Sequence, residues 1–449
     1  MRLVVIGGVA AGMSAAAKAA RTAAGMQIDV YTDELYISYS ACSLPYYIKG
    51  AVARDDLIAR TPEQMLEQGV HVHTGCRALQ IQPEYKRVLI AMQDGAQSWE
   101  SYDKLVIATG ASPIVPRIPG IELKGVFALK QIPDADHIRA FLETEKPRKA
   151  VVVGGGFIGL EMTETLLSYG CDVTIVEKAG QILNTFDADI ANLAAEYLRS
   201  EGITIVTGDG VTAFSGKDRV ERVVTESGSF DADIVVLALG VRPNSELAEA
   251  AGIELTVARA IAVDERMRTN LDDIYAAGDC TAAKHIVDGS DAFIPLGTTA
   301  NKGGKTAGEN AAGGNAEFYG IAGTSIFKLL EREAARTGFG KLEAERAGMK
   351  TWETVVNSRT RAHGYPGIGP AAVKLRFEEG SNRLVGAQIF GAAGAAKRID
   401  MLAAAIQMQW GPEEIAKVDM AYAPPFSPVW DPVLIAAGNA VTAMKKRQK

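Results

Sequence analysis

Short apolar, β-branched runs alternate along the chain with longer stretches whose apolar residues return at helical spacing. Leu3–Ile6, Ala150–Val153 and Asp172–Glu177 are of the first kind, as are Lys104–Ile107 and Ile234–Leu239. Their near-continuous apolar character predicts strands buried on both faces, as in a parallel sheet. Met13–Ala24, stopped by Gly25, and Ile158–Tyr169, stopped by Gly170, are predicted helices. Strand, turn and helix thus occur twice in the same order, the grammar of an α/β fold. Toward the C-terminus the pattern changes. A hairpin is predicted from Val373–Phe377 and Leu384–Ile389 around Gly380-Ser381-Asn382, followed by a helix over Ile399–Gln409.

Both strand–helix junctions are glycine-rich, reading Gly7-Gly8-Val9-Ala10-Ala11-Gly12 and Gly154-Gly155-Gly156-Phe157-Ile158-Gly159. Gly7 and Gly154 permit the tight turn, and Gly12 and Gly159 let the helix pack on its strand. Backbone N–H groups near Gly8, Ala11 and Gly156 then face a pyrophosphate at the helix N-terminus. Val9 stands where a second glycine is usual. The acid expected at the end of the next strand falls on Thr32, with Asp33 and Glu34 after it, and Asp33 is the expected ribose ligand. In the second unit Glu177 holds that place, where a carboxylate accepts the ribose hydroxyls of NADH and repels the 2′-phosphate of NADPH. NADH is therefore expected, NADPH less so, with Lys178 alongside to soften the discrimination. Glu161 either points toward the nicotinamide or complements the helix dipole from the first turn.

Two more strand ends belong with the first turn. Ala108-Thr109-Gly110 suits close passage of backbone past a cofactor, and Ala277-Gly278-Asp279 offers a carboxylate for a ribitol hydroxyl, a helix cap being its alternative role. Gly240 closes the second unit, and Arg242-Pro243-Asn244 cross back. Two such sites suggest two nucleotides, one bringing a hydride and one receiving it, with a flavin as the natural adapter.

Composition narrows the setting. The 449 residues, 47% hydrophobic and 22% charged, suit a globular chain of two or three domains. A net charge of −7 offers no footprint for nucleic acid or an anionic membrane, and the basic tail Lys445-Lys446-Arg447-Gln448-Lys449 reads as a solvated end. No apolar run reaches the ~18 residues of a membrane span. The first residues already form a strand, which leaves no room for a cleaved signal, so a cytoplasmic location is expected. The 4 cysteines include no CxxC or Cys/His cluster, so no metal site is expected.

Between the turns lies Ser38-Tyr39-Ser40-Ala41-Cys42-Ser43-Leu44-Pro45. With no cysteine beside it, Cys42 cannot form an internal disulfide, but it can cycle through a mixed disulfide with a substrate thiol or a sulfenate. Only the thiolate attacks, so the site is expected to lower the thiol from its free pKa of about 8.5. Ser38, Tyr39, Ser40 and Ser43 are the expected stabilisers of the anion. Cys76, Cys171 and Cys280 read as small buried apolar residues. Lys18 and Arg21, three apart on the first helix, meet ligand phosphates or form a solvated face.

With these motifs the chain resembles the pyridine-nucleotide disulfide oxidoreductases. It is most similar to their single-cysteine branch of coenzyme A-disulfide reductases, NADH oxidases and NADH peroxidases. The segment Ser38 to Tyr47 around Cys42, Gly364-Tyr365-Pro366-Gly367 and Ala421-Tyr422-Ala423-Pro424-Pro425-Phe426-Ser427 carry the branch likeness, with Ser43 where a glycine is commoner. The resemblance implies FAD and NADH as cofactors and a homodimer. It implies an FAD domain of residues 1–112 and 245–325, an NADH domain over 113–244 inserted in it, and a C-terminal α/β dimerisation domain over 326–449. Peroxidases and oxidases of the branch carry a histidine where this chain has Ala10, so the likeness leans to coenzyme A-disulfide reduction. In that type Tyr422 and Tyr365 of the partner subunit are the implied proton donors. Two rival functions stand beside it: an NADH oxidase, and the flavoprotein subunit of a larger 2-oxoacid (phenylglyoxylate-type) complex exchanging electrons with iron–sulfur partners.

Overall fold

The computed structural model describes residues 1–447. Arg2–Ile6 is the central strand of a five-stranded parallel sheet, ordered Ile274–Ala276, Lys104–Ile107, Arg2–Ile6, Gln27–Tyr31, Val70–His73. A second parallel sheet repeats the plan around Lys149–Val153, ordered Thr204–Thr207, Asp172–Glu177, Lys149–Val153, Ile234–Leu237, Val126–Ala128. In each, the chain's direction of travel reverses at the central strand. That reversal opens the crevice in which α/β sheets take ligands.

The chain passes between these sheets twice, at Ala111–Pro113 and Val241–Pro243, which pair antiparallel. Asn244 latches the crossing. Its side-chain amide donates to the Thr109 carbonyl at 2.9 Å, and its own carbonyl accepts from the Thr109 hydroxyl at 2.6 Å. The Ser112 hydroxyl adds a third bond to the Asn244 side chain at 2.7 Å.

The third part is an antiparallel sheet, ordered Ser325–Leu329, Arg332–Gly338, Leu384–Ala392, Pro370–Glu378, Thr351–Arg359. The expected hairpin is its centre. Helices Ile399–Gln407 and Pro432–Arg447 cover it through Leu402, Ile406, Val433 and Ala437. Of the basic tail, Lys445–Arg447 extend the last helix, Arg447 pairs with Glu379 at 2.6 Å, and Gln448 and Lys449 lie outside the described residues. No helix among the described residues is long and apolar enough to cross a membrane.

A buried charge cluster ties this sheet to the second nucleotide unit. Asp187 accepts from Lys374 at 2.9 Å, Arg376 at 2.5 Å and the Lys341 N–H at 2.7 Å. Burial alone would raise that carboxyl, but these donors hold it down at about 2.

The first helix runs over Ala10–Thr22, starting earlier than its apolar pattern because the Met13 N–H already bonds the Val9 carbonyl at 3.1 Å. It packs on a helix the pattern does not reveal, Gly297–Ala311. A Cβ at Gly304 would lie 2.3 Å from the Ala11 carbonyl oxygen, and one at Gly308 2.1 Å from that of Ala15. Only glycine permits this approach. Gly308→Ala is expected to destabilise the fold by about 1–3 kcal/mol through overpacking. Gly438→Ala, in the last helix with nothing within 4 Å of its missing Cβ, is expected to stabilise by about 1 kcal/mol through helix propensity. Thermal unfolding of the two variants in parallel checks both signs.

Candidate active site

The two glycine turns share a construction. Gly7 has φ +115° and Gly154 φ +109°, and a Cβ on either would strike the next strand's end, 2.1 Å from the Ala108 oxygen or 2.3 Å from that of Ala238. Gly12 and Gly159 sit directly over the Gly7 and Gly154 carbonyls, where a Cβ would come within 1.9 and 2.1 Å. Gly156, by contrast, has no atom within 4 Å of its missing Cβ, so the second turn leaves open space before its helix N-terminus. Val9 occupies the matching place in the first turn.

The strand ends beside the turns differ. In the second unit Glu177 braces the turn, its carboxylate accepting from the Gly155 N–H and the Ala179 N–H, both at 2.8 Å. In the first, buried Thr32 takes that place by packing its methyl group against Gly8. Asp33 is exposed, whereas Glu34 turns inward and accepts the Tyr39 hydroxyl at 2.7 Å. Burial pushes the Glu34 carboxyl up.

Ala108 to Gly110 follow the strand Lys104–Ile107, and the Gly110 and Gly240 carbonyls accept from Asn244 and Ile114 at the crossing, each at 2.9 Å. Gly278 packs against Ala11, where a Cβ would come within 2.7 Å. Asp279 follows in a turn and heads no helix, which removes its role as a cap. Its carboxylate has no hydrogen-bond donor among the described residues, and Lys130 lies 3.8 Å away. Burial raises its pKa. An acid so placed, beside the first turn and without a donor, suits a hydroxyl-bearing ligand.

Cys42 lies in a 3-10 turn, Ala41–Ser43, that runs straight into the helix Leu44–Lys49. It is exposed, while Cys76, Cys171 and Cys280 are buried, as expected for the last three. The expectation of a lowered thiol is corrected. Partial burial raises the Cys42 pKa, Glu161 and Asp279 raise it further, and Lys130 alone opposes them. The flanking hydroxyls are engaged elsewhere: Ser40 and Ser43 bond each other at 2.7 Å, and Tyr39 bonds Glu34.

Glu161 lies beyond the first turn of the helix Phe157–Ser168, so its role as a first-turn acid also falls. It accepts instead from the Tyr46 hydroxyl at 3.2 Å. Lys18 pairs with Glu309 at 2.8 Å, a surface pair that commits its charge.

The segments that carry Tyr365 and Tyr422 are joined on the C-terminal part. The Ala362 N–H reaches the Pro424 carbonyl at 3.3 Å, and Arg398 donates to the Thr360 and Phe426 carbonyls, each at 3.1 Å, while pairing with Asp431 at 2.7 Å. Tyr422 is 48% exposed, which rules out a core role. Among the described residues no hydrogen bond joins either tyrosine to the Cys42 segment.

Family comparisons agree with this geometry. The family model described as pyridine nucleotide-disulphide oxidoreductase matches residues 1–304, and that family's dimerisation domain matches residues 324–432. The chain belongs to this family. It is 37% identical to the NAD(P)H sulfur oxidoreductase (CoA-dependent) of Pyrococcus abyssi over 97% of each chain. It is also 37% identical, over 100% of each, to an NADH oxidase of Methanocaldococcus jannaschii. A solved NAD-dependent persulfide reductase from A. fulgidus superposes with a TM-score of 0.96 at 40% identity, covering 100% of this chain and 84% of that one. The protein is thus an FAD-dependent NAD(P)H oxidoreductase with two nucleotide-binding units and a C-terminal dimerisation domain. Its open Gly156 turn and donorless Asp279 fit dinucleotide ligands.

Sequence reasoning missed three contributors. Tyr46 and Lys130 act only through tertiary contacts, and the Gly297–Ala311 helix lacks the aliphatic stripe that marks a helix. Burial holds the Glu161 carboxyl up at about 7, from an ordinary 4.5. A carboxyl raised by folding favours the fold in its protonated state, so the penalty appears as pH rises from 4.5 through 7. Glu161→Gln is therefore expected to match wild type near pH 4.5 and to gain up to about 3 kcal/mol by pH 8. Thermal unfolding at a series of pH values checks the trend.

Proposed function

We propose that this protein is an NADH-dependent flavoenzyme that reduces a coenzyme A-type disulfide or persulfide through Cys42. One observation carries the reading: among four cysteines, the one in the branch's redox segment is exposed while the other three are buried. Gly7, Gly8, Ala11, Gly12, Asp33, Ala108–Gly110, Gly278 and Asp279 hold FAD. Gly154, Gly156, Gly159, Glu161, Glu177 and Gly240 hold NADH, which Glu177 favours over NADPH. FAD held there would supply the two-electron relay between nicotinamide and sulfur.

The chain's own residues do the rest. The Cys42 thiolate attacks one sulfur of the substrate, forming a mixed disulfide and expelling a thiolate. Cleavage of the mixed disulfide frees the second thiol. The overall change is NADH + H⁺ + RSSR′ → NAD⁺ + RSH + R′SH.

The protein works in this reading as a cytoplasmic homodimer, with domains at residues 1–112 and 245–325, 113–244 and 326–449. Tyr422, Phe426, Val429 and Trp430 form an exposed apolar strip, 48–76% accessible, of the kind that marks an interface. Tyr365 and Tyr422 of each subunit then serve the site of the other. The likeness to an NADH oxidase keeps oxygen as a second acceptor to test, against which stands Ala10. No observation favours iron–sulfur partners.

Anaerobic NADH oxidation with coenzyme A disulfide or coenzyme A persulfide tests the proposal. Wild type is expected to turn over, and Cys42→Ser to lose at least about 1,000-fold of that rate, since the nucleophile is removed. Reduction of a one-electron dye by NADH is expected to survive in Cys42→Ser. A wild type that ignores both sulfur acceptors but consumes oxygen would instead establish the oxidase.

A further inference from the structure

A buried charge pair on the C-terminal part has no task in the thiol chemistry itself. Arg398 and Asp431 meet at 2.7 Å with their side chains only 9% and 5% exposed. The carboxylate also accepts from the Ser427 hydroxyl at 3.0 Å and the Val433 N–H at 2.9 Å. The core between the C-terminal sheet and its helices is otherwise apolar, with Leu402, Val433 and Ala437. A buried pair there adds little stability over apolar residues of the same volume. Its hydrogen bonds, however, are directional.

Those bonds run to backbone. Arg398 Nη2 donates to the Thr360 and Phe426 carbonyls, each at 3.1 Å, and Nη1 to the Gly394 carbonyl at 2.6 Å. Thr360 opens the loop that carries Tyr365. Phe426 ends the turn after Tyr422, where the Phe426 and Ser427 N–H groups both return to the Ala423 carbonyl, at 2.9 and 3.1 Å. A single nitrogen thus fastens both tyrosine segments. The Tyr365 loop is closed at its base, where the Thr360 N–H bonds the Gly369 carbonyl at 2.9 Å. At its tip Arg361 Nη1 donates to the Pro366 carbonyl at 2.7 Å, with the guanidinium 6.0 Å from the centre of the Tyr365 ring. Gly367, at φ +74°, leaves room for that guanidinium, since a Cβ there would stand 2.4 Å from Nη1. Tyr422 itself stays exposed.

We propose that Arg398 is the positioning residue for the tyrosine pair, with Arg361 setting the tip of the Tyr365 loop. This rests on the reading above that Tyr365 and Tyr422 of one subunit serve the thiol of the other. There a phenol passes its proton to the leaving R′S⁻, giving R′SH and a phenolate that solvent reprotonates. The guanidiniums act through the phenols, holding them at one spacing. A shift of about 1 Å at such a donor costs on the order of 100-fold in rate. An apolar pair in place of Arg398 and Asp431 would fill the same space but leave the Thr360 and Phe426 carbonyls without their common donor.

The test uses FAD-loaded dimers of two differently tagged subunits. It reads coenzyme A disulfide turnover relative to dye reduction on the same sample. The crossed dimer joins an Arg398→Lys subunit to a Cys42→Ser subunit. Its one thiol faces tyrosines held by an intact Arg398, so about half the wild-type rate is expected, because each site borrows from the other chain. The uncrossed dimer joins a wild-type subunit to one carrying both substitutions. Its one thiol faces the displaced tyrosines, and a fall of about 100-fold is expected. Lysine keeps the charge beside Asp431 but has no fork to span two carbonyls. Should Arg398→Lys fail to dimerise, Arg361→Gln takes its place in both dimers. The same order is then expected with a difference of about 10-fold, the scale of one lost charged hydrogen bond.

A loss that stays with the substituted subunit's own thiol, making the crossed dimer the slower one, overturns the inference. Equal rates in the two dimers overturn it as well. Tyr365→Phe and Tyr422→Phe, put through the same pair of dimers, separate this from failure of the reading beneath it. If the tyrosine variants show the crossed order and the arginine variants do not, Arg398 and Arg361 only support the fold. If the tyrosine variants lose nothing, or lose it at their own subunit's thiol, the reading itself fails.

Discussion

Three parts of the molecule meet on one buried carboxylate. Glu164, on the helix Phe157–Ser168, accepts from Lys49 of the Cys42 helix, from Lys328 of the C-terminal sheet and from the Leu330 N–H at 3.1 Å. Burial works against its charge, but the two ammonium groups hold it below the ordinary carboxylate range. Removing either lysine would leave the buried carboxylate with a single ammonium, so each of the three parts favours the same arrangement. The same helix receives the second glycine turn at its N-terminus, and its Thr165 hydroxyl bonds the Pro45 carbonyl at 3.0 Å. Tyr169, just past its end, bonds the Ile48 carbonyl at 2.8 Å. The nucleotide helix and the thiol helix are thus joined directly, which fixes the thiol relative to the second glycine turn. The Asp187 cluster repeats the device at the far side of the same domain.

What could be read from the sequence was local. The glycine turns, the strands feeding them, Glu177 at a strand end and the C-terminal hairpin all depend on residues within a few positions of one another. Steric rules for short turns and the two hydrophobic periods suffice there. The helix Gly297–Ala311 is hidden because its buried face is built from glycine, alanine, threonine and Asn310, with no large aliphatic side chain to mark a period. That Tyr39 draws Glu34 inward while its neighbour Asp33 stays exposed is a tertiary fact that no local spacing reveals.

The charges around Cys42 come from positions far apart in the chain, at 130, 161 and 279, so no spacing rule could foretell their sum. Serines beside a cysteine look like anion stabilisers on paper, yet the hydroxyls of Ser40 and Ser43 satisfy each other. Side-chain hydrogen bonds are decided by which partner is nearest in space, and proximity in sequence is a poor guide to that.

A thiol can be activated by a cation that stabilises its anion or by a base that removes its proton. Here one ammonium, Lys130, faces two acids, so the first route is weak in the polypeptide itself. The same negative surroundings favour the thiol over the thiolate. Glu161 sits on a helix pinned by Glu164 one turn later, and Tyr46 is the contact between the thiol helix and this acid. The electrostatics of the thiol and the mechanics of the nucleotide helix are therefore one constraint, imposed by four residues, Tyr46, Lys49, Glu161 and Glu164, on two facing helices.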